Sequence, residues 1–116
     1  MKVAIVGGRE FDDYELVKST LDRFKSIKLI VSGGAKGADS LGEQYAKENN
    51  IETLIHYPDW NEHGKMACFV RNSDIVRDAD LVIAFWDGES RGTRDTIGKT
   101  HKGYKTIMIV RYRKKQ

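Results

Sequence analysis

Short apolar runs alternate with segments of helical periodicity along the whole chain, and this alternation is the strongest constraint on its fold. Apolar runs bounded by glycine or other turn residues are typical of buried strands. The predicted strands are 3–6, 28–31, 51–56, 81–85 and 106–110, and helices are predicted near 16–24, 38–48, 65–77 and 93–101. This order predicts a Rossmann-like α/β domain with a mainly parallel sheet of about five strands and helices on both faces.

The size of the chain and its cysteine content bound the setting of this domain. At 116 residues we expect a single domain over 1–116, because the chain suffices for one hydrophobic core. A single cysteine, Cys68, excludes an internal disulfide and favours a reducing compartment. No segment approaches the ~18 apolar residues of a membrane span. We therefore expect a cytoplasmic protein with no membrane partner.

The net charge of +3 is concentrated at the end of the sequence, where residues 111–115 hold four basic side chains and no acidic one. Such a run attracts phosphates or nucleic acid. Basic termini are also commonly solvated and frayed. We expect residues 111–116 to form a basic, frayed tail.

Three loops of unusual composition follow predicted strands. They are Gly7-Gly8-Arg9, the segment from Ser32 through Gly33, Gly34 and Gly37 to Asp39, and the segment from Asp87 through Gly88, Ser90 and Gly92 to Thr93. In open α/β sheets, ligands bind where such loops meet helix N-termini, outside the carboxyl ends of the strands. Glycine admits positive φ and close approach of a ligand to backbone N–H groups. Glycines also make ordinary tight turns, but three such loops at one sheet edge favour a binding site.

The established nucleotide fingerprints are absent from these loops. No Lys-Ser or Lys-Thr pair follows the glycines of the second loop, as a P-loop requires, and the G-x-G-x-x-G pattern is missing after the first strand. Three histidines and one cysteine show no metal-ligand spacing. We therefore expect neither a P-loop NTPase nor a nicotinamide-dependent dehydrogenase, and we predict no metal and no cofactor.

In combination, the loop motifs resemble the YspA/YpsA-like branch of the SLOG superfamily, which is related to the LOG phosphoribohydrolases and the Rossmann-like domain of DprA. The ordered motifs are Gly7-Gly8-Arg9 with Phe11, Ser32-Gly33-Gly34-Ala35-x-Gly37-Ala38-Asp39, Arg71-Asn72, Ala79-Asp80 and Phe85-Trp86-Asp87-Gly88-x-Ser90-x-Gly92-Thr93. The resemblance spans about positions 3 to 110 and implies a domain that binds a nucleotide or nucleotide-sugar as a sensor, sequestering protein or effector module. It also leaves a homo-oligomer possible.

The resemblance implies a site built from the three loops and one arginine. Its predicted ligand-binding residues are Gly7, Gly8, Arg9, Ser32, Gly33, Gly34, Gly37, Asp39, Arg71, Asn72, Asp87, Gly88, Ser90, Gly92 and Thr93. Without the resemblance, a helical arginine such as Arg71 is most simply a surface charge. Asp39 and Asp87 either contact the ligand or close a cap and a turn.

One departure from the related LOG enzymes bears on catalysis. Their later glycine loop continues to a glutamate that acts with the arginine in glycosidic cleavage, and here Thr96 stands at that position. A threonine cannot transfer protons as a carboxylate does. We therefore expect binding rather than efficient hydrolysis. The alternatives are a hydrolase of an N-glycosidic or phosphate bond using another carboxylate, and the less favoured binding of single-stranded nucleic acid.

Four further side chains near these loops keep two interpretations each. Glu89 and Asp95 either contact the ligand or are solvated charges in the first turn of a helix. Trp60 either stacks on a nucleobase or plugs the edge of the core, and Trp86 either walls the pocket or packs in a subunit interface.

Overall fold

All five predicted strands form, and they pair in one parallel sheet. The computed structural model describes residues 1–114. In chain order the elements are β1 (Lys2–Gly7), α1 (Tyr14–Leu21), β2 (Leu29–Ser32), α2 (Ala38–Glu48), β3 (Glu52–Ile55), α3 (Trp60–His63), a 3-10 turn (Gly64–Met66), α4 (Ala67–Asp78), β4 (Leu81–Trp86), α5 (Arg91–Lys102) and β5 (Thr106–Arg111). The predicted α/β fold is confirmed.

The strand order is β3-β2-β1-β4-β5, and every neighbouring pair is parallel. The chain adds β2 and β3 on one side of β1 and then returns to add β4 and β5 on the other. The order therefore reverses between β1 and β4, and the loops that leave these two strands diverge there. Such a reversal point is where open α/β sheets form their binding crevice.

Side chains alternate along β1 and feed two separate cores. Val3 and Ile5 pack with Val17 of α1 and Tyr45 of α2 on one face. On the other face, Ala4 and Val6 pack with Ile75 of α4, and Ile97 of α5 lies against the same cluster. This period of two is the signature of a strand buried on both faces. Both faces of the sheet thus carry helices, which leaves the loops at the ends of the strands for a ligand.

Between β3 and α4 the structure differs in detail from the predicted irregular stretch followed by a helix from residue 65. A short helix, α3, begins after Asp59, whose carboxylate accepts a hydrogen bond from the Glu62 N–H at 3.0 Å. The 3-10 turn follows, and α4 begins only at Ala67. The cap of Asp59 stabilises this extra turn of helix. Across residues 1–114, no helix has the length and apolar character needed to span a bilayer.

Residues 111 and 112 are attached to the sheet, which corrects the prediction of a frayed tail for this part of 111–116. Arg111 is the last residue of β5, and the Tyr112 N–H donates to the Trp86 carbonyl at 3.2 Å. The Tyr112 ring packs against Phe11 with 4.6 Å between ring centroids. Strand pairing and this aromatic contact hold residues 111 and 112. Positions 115 and 116 of the predicted tail lie outside the described residues.

Candidate functional site

A cleft of about 420 Å³ opens at the carboxyl ends of β1 and β4, at the reversal point of the sheet. Its volume falls within the range of small-molecule sites. Ten of the predicted site residues line it, namely Gly7, Gly8, Arg9, Asp39, Arg71, Asn72, Asp87, Ser90, Gly92 and Thr93. The other five, Ser32, Gly33, Gly34, Gly37 and Gly88, stand outside its lining. The structure thus brings together residues from all three predicted loops and from α4.

One wall of the cleft is the loop after β4 and the first turn of α5. The Asp87 carboxylate accepts hydrogen bonds from the N–H groups of Glu89 and Ser90, at 2.8 and 2.9 Å, which lowers its pKa. Ser90 caps α5, accepting from the Thr93 N–H at 3.4 Å. Asp87 closes the turn, as one of its two predicted interpretations has it, and it also lines the cleft, so its contact with a ligand stays a prediction.

Gly92, in this first turn, has open space where a side chain would project. A Cβ placed on it meets no atom of residues 1–114 within 4 Å. The N–H groups of Arg91 and Gly92 belong to the first turn of α5, which has no intrahelical acceptors for them. They lie at the positive end of the helix dipole. This wall can accept an anionic oxygen close to the backbone.

At the glycines of the loop after β2, by contrast, other protein atoms fill the space where a side chain would project. Gly34 has φ of +71°, and a Cβ on it would stand 2.6 Å from the Tyr57 ring. Ser32 is fully buried, and its hydroxyl donates to Glu43 at 2.6 Å while accepting from the Gly34 N–H at 3.2 Å. These contacts fix the conformation of the loop, and neither Ser32 nor Gly34 lines the cleft.

Gly37 joins this loop to the one after β1. It has φ of +80°, and a Cβ on it would collide with the backbone of Gly8 and Arg9. The next residue, Ala38, donates its N–H to the Gly8 carbonyl at 3.3 Å. The two loops therefore pack backbone against backbone, which fixes the position of the cleft-lining Gly8.

Asp39 and Arg71 form the buried polar floor of the cleft. Oδ2 of Asp39 accepts from the N–H groups of Gly33 and Ala35 at 3.1 and 3.3 Å. Arg71 donates through Nη1 to the Gly33 carbonyl. Burial raises the pKa of Asp39 to about 6, although the two N–H groups and the Arg71 charge oppose that shift. A carboxyl that titrates near neutrality inside a cleft is typical of a functional group.

Arg71 is only 9% exposed, so the interpretation of a solvated surface charge is wrong. Its Nε donates to the Asn72 side chain at 3.1 Å. The guanidinium has five N–H donors, and these two bonds use two of them. The side chain lines the cleft with donor capacity beyond its structural bonds.

Asn72 connects this floor to α5. Its side-chain amide donates to Asp95 at 3.1 Å and to the Gly92 carbonyl at 3.4 Å. Asp95 also accepts from Lys99 at 2.6 Å. The interpretation of Asp95 as a solvated charge is wrong, because it is a partly buried structural link between α4 and α5, and it stands outside the cleft lining.

Two comparisons of the sequence place this chain in a family. Residues 1–63 match the sequence model of YAcAr, the YspA, cpYpsA-related SLOG family. The chain is also 33% identical over 111 residues to the Gene 61 protein of Mycobacterium phage D29, covering 87% of this chain and 89% of the phage protein. The chain belongs to the YspA and cpYpsA-related SLOG family. The resemblance seen in its sequence is confirmed.

The SLOG chain has the fold of DNA processing protein A (DprA) from Streptococcus pneumoniae. The two structures agree with a TM-score of 0.80 at 19% sequence identity, and the match covers 93% of this chain. It covers 49% of DprA, so the SLOG chain spans about half the length of that protein. At this level of identity the likeness shows the Rossmann-like fold alone.

Thr96 of the SLOG chain, which the resemblance aligns with the LOG glutamate, lines the cleft. It is 2% exposed, and its hydroxyl donates to the Gly92 carbonyl of its own helix at 3.2 Å. The position that carries a carboxylate in LOG enzymes is therefore a hydroxyl engaged by the backbone.

The sequence did not point to several residues that line the cleft, among them Glu10, Tyr112 and Lys114. Glu10 directly follows Gly7-Gly8-Arg9, so its place in the sequence could have pointed to it. Tyr112 and Lys114 come from the segment expected to be frayed, and their place depends on β5 pairing with β4.

The two tryptophans lie outside the cleft lining. Trp60 is 56% exposed, so the interpretation as a plug at the edge of the core is wrong. The guanidinium groups of Arg94 and Arg111 lie over the Trp86 ring, at 5.8 and 5.5 Å from its centroid. Trp86 also donates to the Ser90 carbonyl at 3.1 Å, which braces the loop that walls the cleft. The Trp86 side chain thus supports this wall although it does not line the cleft.

Proposed function

We propose that this SLOG domain binds a small nucleotide-derived ligand, with a phosphate against the first turn of α5. The observation that carries the proposal is the open space at Gly92 beside the first-turn N–H groups, which have no acceptor within their own helix. Backbone N–H groups and the helix dipole together form an anion site that needs no lysine or P-loop. A side chain at this position would block it.

The floor of the cleft supplies groups for the rest of such a ligand. Arg71 offers further N–H donors, which suit a phosphate oxygen or a sugar hydroxyl. Asp39 accepts two backbone hydrogen bonds through Oδ2, so a ribose hydroxyl can donate to its other oxygen. Four carboxylates line the cleft, those of Glu10, Asp39, Asp87 and Glu89, against three cationic side chains. This balance suits a ligand with hydroxyls and few negative charges.

The first test is to find what the protein retains. Native mass spectrometry of the protein purified from cells should reveal an additional mass in the range of a nucleotide. Calorimetric titration with AMP, ADP and ADP-ribose then measures affinity directly. Saturable binding of at least one of them, with one site per chain, is the expected result. If no mass is retained and none of the three binds, the proposal is wrong.

Hydrolysis of such a ligand is the second candidate, and the buried Asp39 carboxyl favours it. With a pKa near 6 it could transfer a proton within the cleft. Because Thr96 replaces the LOG glutamate, we expect far slower release of base than in those enzymes, by about 10²–10⁴-fold. Chromatography of AMP and cytokinin nucleotides after incubation checks this. Rapid release of base that Asp39→Asn abolishes would establish the hydrolase instead.

A further inference from the structure

The segment that follows β5 forms part of the cleft wall, although it carries none of the family motifs. Tyr112 and Lys114 both line the cleft. The Tyr112 N–H bond to the Trp86 carbonyl extends the pairing of β5 with β4 by one residue beyond the strand. This pairing carries the segment alongside the loop that leads to Ser90 and the first turn of α5.

The Tyr112 side chain is held in place from one side and meets the glycine loop on the other. Its ring packs against Phe11, which itself stacks on Phe85 with 5.0 Å between centroids. Its hydroxyl lies directly over Gly8, where even a Cβ would collide with it. Gly8 is therefore needed to make room for a tyrosine of the protein as well as for a ligand. The hydroxyl is positioned by packing, which lowers the entropic cost of using it for binding.

The surroundings of this hydroxyl favour its protonated form, in which it is a hydrogen-bond donor. Burial, together with the carboxylates of Asp87 and Glu10, raises the pKa of Tyr112. The neighbouring Lys114 lies 3.9 Å from Glu89 across the mouth of the cleft, and both side chains are more than half exposed. Such a long, exposed ion pair is weak, so an anionic ligand can take the lysine from the glutamate at little cost.

We propose that Tyr112 and Lys114 are ligand-binding residues: the Tyr112 hydroxyl donates to a phosphate oxygen held at the α5 first turn, and the Lys114 ammonium adds a charge at the cleft mouth. This inference rests on the proposed function. It adds a donor from the end of the chain to the site built from the family loops. Tyr112 then also limits the ligand, because its ring closes the side of the cleft above Gly8.

The test compares Tyr112→Phe with Tyr104→Phe by calorimetric titration of the tightest binder among AMP, ADP and ADP-ribose. Tyr112→Phe removes the hydroxyl and keeps the ring against Phe11, so the melting temperature without ligand should not change. Tyr104 is 98% exposed and stands outside the cleft lining, which makes it the matched control. We expect Tyr112→Phe to lose about tenfold or more in affinity, the effect of a lost hydrogen bond to a charged group. Tyr104→Phe should bind as the parent does.

Lys114→Gln should weaken binding by only about two- to fivefold, and less at high salt, because the ammonium is exposed. Parent-like affinity in Tyr112→Phe overturns the inference and leaves the proposed function standing. Equal losses in Tyr112→Phe and Tyr104→Phe also overturn it. If the parent binds none of the three nucleotides, the proposed function fails and the inference fails with it.

Discussion

The loop after β2 and the loop after β4 have similar compositions, but of the two only the loop after β4 leads to a glycine that lines the cleft. In the first, Gly34 and Gly37 have positive φ and face Tyr57 and the backbone of Gly8 and Arg9. After β4, Gly88 also has a positive φ and faces the Arg111 side chain, but Gly92, in the first turn of α5, faces open space within the cleft wall. A glycine-rich loop at a sheet edge thus holds glycines that pack against protein, and it can also lead to a glycine that faces the cleft. The difference lies in what a Cβ would meet.

We call the loop after β2 the packing loop, because its glycines face other protein atoms. Gly37→Ala should disrupt this loop and produce the largest loss of stability. The substitution combines a positive φ with a collision against the backbone of the loop after β1. We expect the free energy of unfolding to fall by at least about 4 kcal/mol, with loss of the cleft. Urea unfolding measures this change.

Gly64→Ala is the matched control for Gly37→Ala, because Gly64 has φ of +52° and nothing in residues 1–114 within 4 Å of a Cβ. Strain alone should cost it about 1–3 kcal/mol. Equal costs at the two glycines would show that contact between the two loops contributes nothing.

Arg71→Ala should destabilise the protein because Arg71 ties the packing loop to α4. The substitution leaves the Gly33 carbonyl and the Asp39 carboxylate without their cationic neighbour, at a cost of roughly 3 to 4 kcal/mol. Arg77→Ala on the same helix removes a 63% exposed side chain and should change stability by less than about 1 kcal/mol. Thermal unfolding without ligand distinguishes them, and a parent-like Arg71→Ala would contradict the buried assignment.

Asp39 gives the packing loop a dependence on pH. Its folded pKa of about 6 lies above the ordinary 3.8, so between these values the folded protein binds more protons than the unfolded chain. The contribution of Asp39 to the free energy of unfolding therefore falls as pH rises from about 4 to about 6 and is constant above. The parent minus Asp39→Asn difference in that free energy should be smaller at about pH 7 than at pH 4, by up to roughly 3 kcal/mol.

Asp87→Asn, in the loop after β4, should show the opposite trend. The N–H groups of Glu89 and Ser90 lower the pKa of Asp87, so its contribution to stability is present above the unfolded pKa and is lost as pH falls through the folded one. Denaturant unfolding at several pH values gives both trends. A pH-independent difference for Asp39→Asn would mean that its carboxyl is not desolvated.

The fold could be predicted from the sequence because each strand carries its own signal. The apolar run of β4, bounded by Asp80 and Asp87, is readable without knowledge of its neighbours. The position of the cleft followed as well, since the carboxyl ends of parallel strands meet at one edge. Local pattern therefore determined the elements and the edge that holds the site.

The role of individual residues was not readable, because it depends on contacts between distant segments. Tyr112 enters the cleft only because β5 pairs with β4 and Phe11 receives its ring. The contact of Gly34 with Tyr57 likewise joins residues on either side of α2 and β3. Composition identified both glycine loops but could not separate the one that packs from the one that faces the cleft.

The most direct test of this contrast compares Gly92→Val with Gly98→Val. Both glycines belong to α5 and have nothing in residues 1–114 within 4 Å of a Cβ, but only Gly92 lines the cleft. Each substitution should change the free energy of unfolding by less than about 1 kcal/mol, since glycine and valine are both weak helix formers. In calorimetric titration with the nucleotide that the parent binds best, Gly92→Val should lose binding and Gly98→Val should keep it. Parent-like affinity in a folded Gly92→Val would contradict the account, because the open space at Gly92 would then have no role in binding.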